Sequence, residues 1–465
     1  MLRIFKKYYP VRNIFFVVGE CFFIYASVLT ASLVVFGPGS FSFNFGLLLK
    51  IFLITFVCQI CLYYNDLYDL KATNSAGELG IRLLQALGFS AILLAFVYII
   101  FPKAIIARGI FIISICLIIM LIVSWRFFYS MILSNGIFNQ KIILLGSGDV
   151  IKDIRQEILD RKDCGYTLAL EVPEGIDDMD LSKPDGVPVF CKNNFEGLSD
   201  MSQFLGIEKI VVGFKEKRRI LPTKELLKCR VDGIEVIDGN DFYENLSGKL
   251  TVSSINPSWL IFSGGFHKST MRRFMKRLSD VVLSILLLII CLPLIILTAI
   301  LIKIDSLGPI LFSQERIGEK GKSYFIYKFR SMVENAENLS GPVWAQSDDD
   351  RVTRVGRIIR KLRIDEIPQL WNVLKGEMSF VGPRPERKFF VEKLKEMIPY
   401  YAVRNTVKPG ITGWAQISYG YGASVEDAVE KLNYDLFYIK NMSALMDLMI
   451  VLRTIKIVLF GRGAR

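Results

Sequence analysis

Four long apolar runs, at residues 14–36, 45–63, 83–101 and 109–125, occupy the start of the chain with few polar interruptions. Each reaches, or nearly reaches, the roughly 20 residues a helix needs to cross a bilayer. Residues 1–135 are therefore expected to hold four transmembrane helices. From Lys141 the pattern changes. KIILLGSG runs into a glycine turn, EKIVVGF and GIEVIDG read as further buried strands, and helical stretches over 194–204 and 224–230 lie between them. That alternation predicts a small doubly wound, Rossmann-like α/β domain over 139–262. A fifth apolar run, 281–302, carries no charge and opens a third region, 271–465.

Charge placement bears on topology. Lys6, Lys7 and Arg12 precede or open the first run, and no small-residue cleavage pattern follows, so an uncleaved anchor is expected. The linker GPGSFSFNF is uncharged, whereas Lys71 and Arg82 follow the second run and Lys141 and Lys152 the fourth. The positive-inside rule then puts both ends of the four-helix bundle in the cytoplasm. Glu20 and Lys50, within or at the edge of spans, read as snorkelling side chains.

The fifth run is basic on both flanks, with Lys268, Arg272, Arg273, Lys276 and Arg277 before it and Lys303, Arg316, Lys320 and Lys322 after it. Both flanks should stay cytoplasmic. Pro293 deprives the Ile289 carbonyl of its donor and favours a sharp bend. A helix over about 276–303 is expected to enter the membrane, turn at Leu292-Pro293 and leave by the same face; a Pro-kinked spanning helix is the alternative. Residues 445–460 mix apolar positions with Arg453 and Lys456, and read equally as an interfacial helix or as packing within their own domain.

Composition narrows the chemistry. Hydrophobic residues make up 52% of 465, and the formal charge is +12. That balance suits a protein lying against anionic lipid and handling anionic substrates. The basic residues are dispersed around apolar segments, which argues against nucleic acid. Cys58 and Cys61 have CxxC spacing but lie in an apolar run, so packing is the better reading. His267 is the only histidine, which nearly removes His-based acid–base chemistry and zinc sites. Gly146-Ser-Gly148 begins a dinucleotide-binding pattern, but Ile151 stands where its third glycine belongs, so the middle domain reads as structural or regulatory.

The richest stretch is RKLRIDEIPQLWNVLKGEMSFVGPRPE, residues 360–386, in which Asp365 and Glu366 sit among basic residues. A carboxylate can hold Mg²⁺ or attack phosphorus, and arginine grips phosphate oxygens bidentately. An isolated Asp-Glu pair would be an ordinary solvated pair. Here it is framed by FSQERIG and YKFRSM upstream, and by VKPGITGWAQ and YDLFYIKNMSALMDL downstream.

In that order these blocks resemble the bacterial sugar transferase family, the monotopic phosphoglycosyl transferases, and the whole chain resembles their exopolysaccharide-initiating, exosortase-associated branch. The resemblance implies transfer of a sugar-1-phosphate from a UDP-sugar to undecaprenyl phosphate at the cytoplasmic face of the bacterial inner membrane. Asp365 would be the nucleophile and Glu366 the Mg²⁺ ligand. Arg384 and Arg360 would grip phosphate, and Asp447 would be a further active-site acid. Arg404 and Lys408 are candidates for nucleotide or lipid phosphate. Many relatives carry Asn-Gly-Arg after the glutamine matching Gln416; this chain has SYGYGAS, which puts sugar preference in question. Glucose is slightly favoured, with galactose and N-acetylated hexosamines open. Homo-oligomers and downstream glycosyltransferases are conceivable partners. The competing reading is a membrane scaffold or sensor without catalysis.

Overall fold

A computed structural model describes residues 2–4, 7–9, 11–37, 44–68, 76–106, 109–134, 139–160, 164–173, 195, 197–214, 221–252, 263–266, 268–333, 351–420, 422 and 424–459. His267 and the C-terminal residues 460–465 lie outside them. The chain forms two compact units, one made chiefly of residues 8–239 and the other of 240–465.

In the first unit, the apolar runs become α1 (Val11–Phe36), α2 (Phe45–Tyr64), α3 (Ala76–Ile100) and α4 (Ile110–Ser134). All four are long and apolar enough to cross a membrane. Two, α3 and α4, extend at least seven residues beyond their apolar runs. The first turns of α3 take in Glu78 and Arg82, an i,i+4 ion pair at 2.5 Å. Running on past Trp125, α4 brings Arg126 inside the unit. There Arg126 meets Glu20 at 2.6 Å and donates to the Leu67 carbonyl at 3.0 Å. Glu20 is fully buried, so it is paired across two helices and does not snorkel. Lys50 reaches the Ile105 carbonyl, 2.9 Å away.

After α4 comes a parallel sheet of β1 (Gln140–Leu145), β2 (Tyr166–Val172), β3 (Lys209–Val212) and β4 (Glu235–Asp238), in the order β2-β1-β3-β4. Its helices are α5 (Asp149–Asp160), α6 (Leu198–Phe204) and α7 (Thr223–Val231). In such sheets ligands enter where the strand order reverses, here beyond the carboxyl ends of β1 and β3. There the two strand ends pack closely on each other. Gly146 has φ +111°, and a Cβ on it would meet the Gly213 carbonyl oxygen at 2.6 Å. The Gly148 amide donates to the same oxygen, and Ile151 is buried against Gly213.

The second unit opens with α8, which begins at the junction (Gly239–Ser247), and continues into α9 (Thr270–Asp305). The hairpin β5 (Leu311–Ile317) and β6 (Ser323–Phe329) follows. Next come α10 (Arg354–Lys361), α11 (Gln369–Lys375), β7 (Ser379–Val381), α12 (Lys388–Met397), β8 (Gly410–Thr412), α13 (Trp414–Ser418), α14 (Val425–Asn441) and α15 (Ala444–Leu459). Parallel pairing of β7 with β8 brings Gly382 against Gly410, too close for any side chain. The core lies between α12, α14 and α15, around Leu436, Tyr438 and Ile450.

In α9 the backbone stays helical through Pro293. Pro293 therefore costs one hydrogen bond within a single helical segment. Both ends of α9 are tied to the same unit. Near its start, Arg277 donates to the Val373 and Leu374 carbonyls at 2.5 and 2.7 Å, and Asp280 accepts from the Phe380 amide at 3.1 Å. At its finish, Asp305 accepts from the Val355 amide at 3.1 Å and Ile302 packs with Phe329 and Ile359. About 42 Å of helix lies between Arg277 and Asp305. Its middle exposes Val282, Ile285, Ile289, Ile290, Leu292 and Ile296.

Candidate active site

A short 3₁₀ turn, Ile364–Glu366, presents Asp365 and Glu366. The helix α10 stops at Lys361, and Arg363 takes a left-handed conformation, φ 56° and ψ 20°. This reversal separates Arg360 from the dyad. Arg360 and the dyad are not on one helix, and no ion pair links them among the described residues. Asp365 and Glu366 are each only 8% exposed. Buried carboxylates need partners.

Three cations supply them, all at one oxygen. Lys328 Nζ lies 3.0 Å from Glu366 Oε1, Arg384 Nη2 3.1 Å and Arg363 Nη1 3.9 Å. Lys328 also lies 4.0 Å from Asp365 Oδ2. Burial opposes ionisation of Glu366, but Lys328, Arg384 and Arg363 outweigh it and hold its carboxyl well below the usual range. Asp365 moves the other way: burial and the neighbouring Glu366 charge raise it, against the pull of the same cations. Its buried Oδ1 has no hydrogen-bond partner.

Each cation is positioned by structure remote in sequence. Asn372 on α11 accepts from the Tyr327 amide at 3.1 Å and donates to the Phe325 carbonyl at 2.7 Å. It thereby fastens the free edge of β6 and fixes the strand that carries Lys328. Arg384 sits between two prolines, which restrict its backbone, and its carbonyl accepts from Arg404 at 3.0 Å.

The other expected residues are spread more widely. Arg404 is 7% exposed, paired with Asp435 at 2.9 Å and donating to the Tyr401 hydroxyl at 2.6 Å. It braces the loop behind Arg384. Lys408 has its amine near Gly376, at the end of α11. Asp447 pairs with Lys276 at 2.7 Å and lies 2.8 Å from the Tyr438 hydroxyl, at the foot of α9; burial raises its pKa despite Lys276. Arg384 meets Glu366 directly and Lys328 reaches both members of the dyad, whereas among the described residues no hydrogen bond or ion pair joins Arg360, Lys408 or Asp447 to it. Lys328 and Arg363 were missed as site residues. The signal for Lys328 was available: it continues the face of β6 that buries Tyr324 and Ile326, where lysine is unusual without a partner.

Among the described residues, no group of three or more His, Cys, Asp or Glu side chains is arranged to hold a metal. The dyad offers two adjacent carboxylates and one unbonded buried oxygen. That donor set fits a Mg²⁺ that keeps waters and takes further oxygens from substrate phosphates, the ion's usual habit.

A family model described as bacterial sugar transferase matches residues 271–461. Across 240 residues, 52% of this chain and 56% of the relative, the sequence is 43% identical to the UDP-N-acetylgalactosamine-undecaprenyl-phosphate N-acetylgalactosaminephosphotransferase of Aeromonas hydrophila. It is 51% identical over 129 residues, 28% of this chain and 72% of the relative, to a putative undecaprenyl-phosphate N-acetylgalactosaminyl 1-phosphate transferase of Bacillus subtilis (strain 168). With the UDP-glucose:undecaprenyl-phosphate glucose-1-phosphate transferase of Caulobacter vibrioides it shares 45% identity over 182 residues, 39% of this chain and 68% of that protein. Among longer relatives the match spans 56%, 36% and 40% of their lengths.

Proposed function

Since the chain belongs to the bacterial sugar transferase family, we propose that it transfers a sugar-1-phosphate from a UDP-sugar to undecaprenyl phosphate, releasing UMP. The observation that carries this reading is the dyad itself: a buried Asp365 with an unbonded oxygen beside a Glu366 neutralised by three cations. Donor and acceptor are both phosphate anions that repel each other. A carboxylate nucleophile lets them react in turn. Asp365 attacks the sugar-bearing phosphorus, forming an acyl phosphate as the bond to the UMP phosphate breaks and UMP leaves with the electron pair. An oxygen of undecaprenyl phosphate then attacks the same phosphorus, the bond to Asp365 breaks, and the carboxylate is restored. The acceptor is already ionised, so no general base is required.

Lys328, Arg363 and Arg384 offset charge as phosphate enters, and their prior anchoring limits reorganisation during reaction. Mg²⁺ is assigned to Glu366, with Asp365 adjacent, and would neutralise phosphoryl charge. The four N-terminal helices serve as a membrane anchor, followed by a Rossmann-like cytoplasmic domain. We read α9 as re-entrant: ties at both ends to one unit, with an exposed apolar middle, favour entry and exit by one membrane face, the cytoplasmic one. Leu445, Leu448, Leu452 and Ile455 form an exposed apolar stripe on α15 that supports an interfacial position for that helix.

The test is the order of events. Full-length protein given UDP-sugar without lipid should release UMP stoichiometrically, and mass spectrometry should find a hexose-phosphate adduct on the peptide containing Asp365. UMP release only when undecaprenyl phosphate is present, with intersecting initial-rate plots and no adduct, would replace the covalent route with direct transfer.

A further inference from the structure

Pro383 and Pro385 have no amide N–H, so the Pro-Arg-Pro turn can do little to brace itself. Its carbonyls are held from outside, one by one. The Pro383 carbonyl accepts from the Gly410 amide of β8 at 2.9 Å, and the Glu386 carbonyl accepts from the Ile317 amide of β5 at 3.1 Å. Arg316, also on β5, donates to the Pro385 carbonyl at 3.4 Å. At the centre, the Arg384 carbonyl accepts from Arg404. Four consecutive carbonyls are thereby fixed by β5, β8 and the turn that carries Arg404.

Arg404 has a buried counter-charge behind it. It stands on a 3₁₀ turn, Tyr401–Thr406, and Asp435 stands on α14. Asp435 is only 2% exposed, so both charges are nearly closed to solvent. Burying two charges is expensive, and a buried ion pair is often no more stabilising than apolar groups of the same size. Stability alone is therefore a weak reason for this pair. Geometry supplies a better one. The planar guanidinium presents a fixed fork of donors, and here the fork meets three acceptors: Asp435, the Tyr401 hydroxyl and the Arg384 carbonyl. Asp435 and Tyr401 set its plane, and that plane sets where the Arg384 backbone lies.

Arg384 is the residue that gains. Its side chain is 41% exposed and reaches Glu366, so packing fixes only part of it and the aim of its guanidinium follows the backbone. Resting on the transfer reading above, we propose that Asp435 and Arg404 are positioning residues that aim Arg384 at the dyad. The chain of contacts is continuous: Asp435 to Arg404 at 2.9 Å, Arg404 to the Arg384 carbonyl at 3.0 Å, and Arg384 to Glu366 at 3.1 Å. Neither residue touches the donor or the lipid acceptor. Arg404 thus exchanges the phosphate-binding part expected from the sequence for one carried through another arginine. Asp435, in the YDLFYIKN block, gains a part in the reaction.

Initial-rate kinetics of the full-length protein test the assignment, with UMP release measured from UDP-glucose, UDP-galactose and their 2-acetamido counterparts in the presence of undecaprenyl phosphate. Asp435→Asn keeps the shape and removes the charge; Arg404→Lys keeps the charge and removes the fork. Each should lower kcat by about 10- to 100-fold, the scale of misplacing a reacting group by roughly 1 Å. In an Arg384→Met background the same changes should cost no more than about twofold, because the group they aim is gone. The division of the loss between kcat and KM should also follow that of Arg384→Met. If Asp435→Asn fails to fold, Arg404→Lys carries the test. Equal fold losses in both backgrounds overturn the assignment while leaving the transfer reading intact. So does an Arg404→Lys variant with kcat retained and KM for the UDP-sugar raised, which would restore a phosphate contact to Arg404. A wild type that releases no UMP from any of the four donors would instead sink the transfer reading, and the assignment with it.

Discussion

The glycine turn after β1 and the acidic turn before α11 invite opposite expectations, and their surroundings reverse both. Gly-Ser-Gly suggests a phosphate cradle, yet Gly146 packs on the Gly213 carbonyl and a buried Ile151 stands where the third glycine belongs. Ile-Asp-Glu suggests a solvated surface pair, yet it is buried under three cations drawn from β6, the Pro-Arg-Pro loop and the reversed backbone at Arg363. In each case the decisive groups lie elsewhere in the chain. A glycine turn makes a site only if its crevice is open, and a carboxylate pair becomes reactive only if something strips away its water.

The largest expected contrast comes from Asp365→Asn. If Asp365 is the nucleophile, its loss should cut turnover by roughly 10³-fold or more, with the melting temperature of the purified protein close to wild type. Retained turnover would return the acidic turn to the rank of an ordinary buried pair. Lys328→Met should cost less, about 10²-fold in kcat, the scale for one preorganised charge. It should also move the acidic limb of UMP release to higher pH, since Lys328 favours the ionised form of Asp365. The sign follows from Asp365 needing to be deprotonated: its raised pKa already sets the limb above the ordinary aspartate range, and removing a cation raises it further. Glu366, held low, should contribute no limb in the same window. A limb that moves to lower pH would mean that another group governs the profile. Smallest of all in turnover should be Gly146→Ala. The positive φ and the close Gly213 carbonyl should cost on the order of 1–3 kcal/mol of stability, read by thermal unfolding, while turnover per folded molecule stays within about twofold, as for a surface change away from a site. A large kinetic loss there would give the glycine turn a part in the reaction.

These contrasts mark what the sequence could disclose. Apolar runs located all five long helices, because burial in lipid or protein writes itself as uninterrupted hydrophobicity. Three strands of the parallel sheet were legible for the same reason. Their neighbour β2 was missed although YTLALEV alternates apolar positions with Thr167, Ala169 and Glu171, itself the signal of a half-buried strand. The dyad could be found because Asp365 and Glu366 are adjacent. Its cationic setting could not be found fully, since Lys328 lies 38 residues away and arrives only when Asn372 fastens β6. The pairing of Arg404 with Asp435 spans 31 residues and was likewise invisible, so an arginine in a basic motif looked like a phosphate ligand. Glu20 was misread because the fourth run was ended at Trp125, one residue short of its partner.

That partner gives the helical unit an electrical property. Glu20 and Arg126 sit 2.6 Å apart and so at nearly one depth. A single charge moved through a full membrane potential exchanges about 2.3 kcal/mol per 100 mV with the field. Opposite charges at the same depth exchange almost nothing, because the work on one cancels the work on the other. If α1 and α4 span a bilayer, this pair therefore adds a buried charge to each helix while adding almost nothing to their response to voltage.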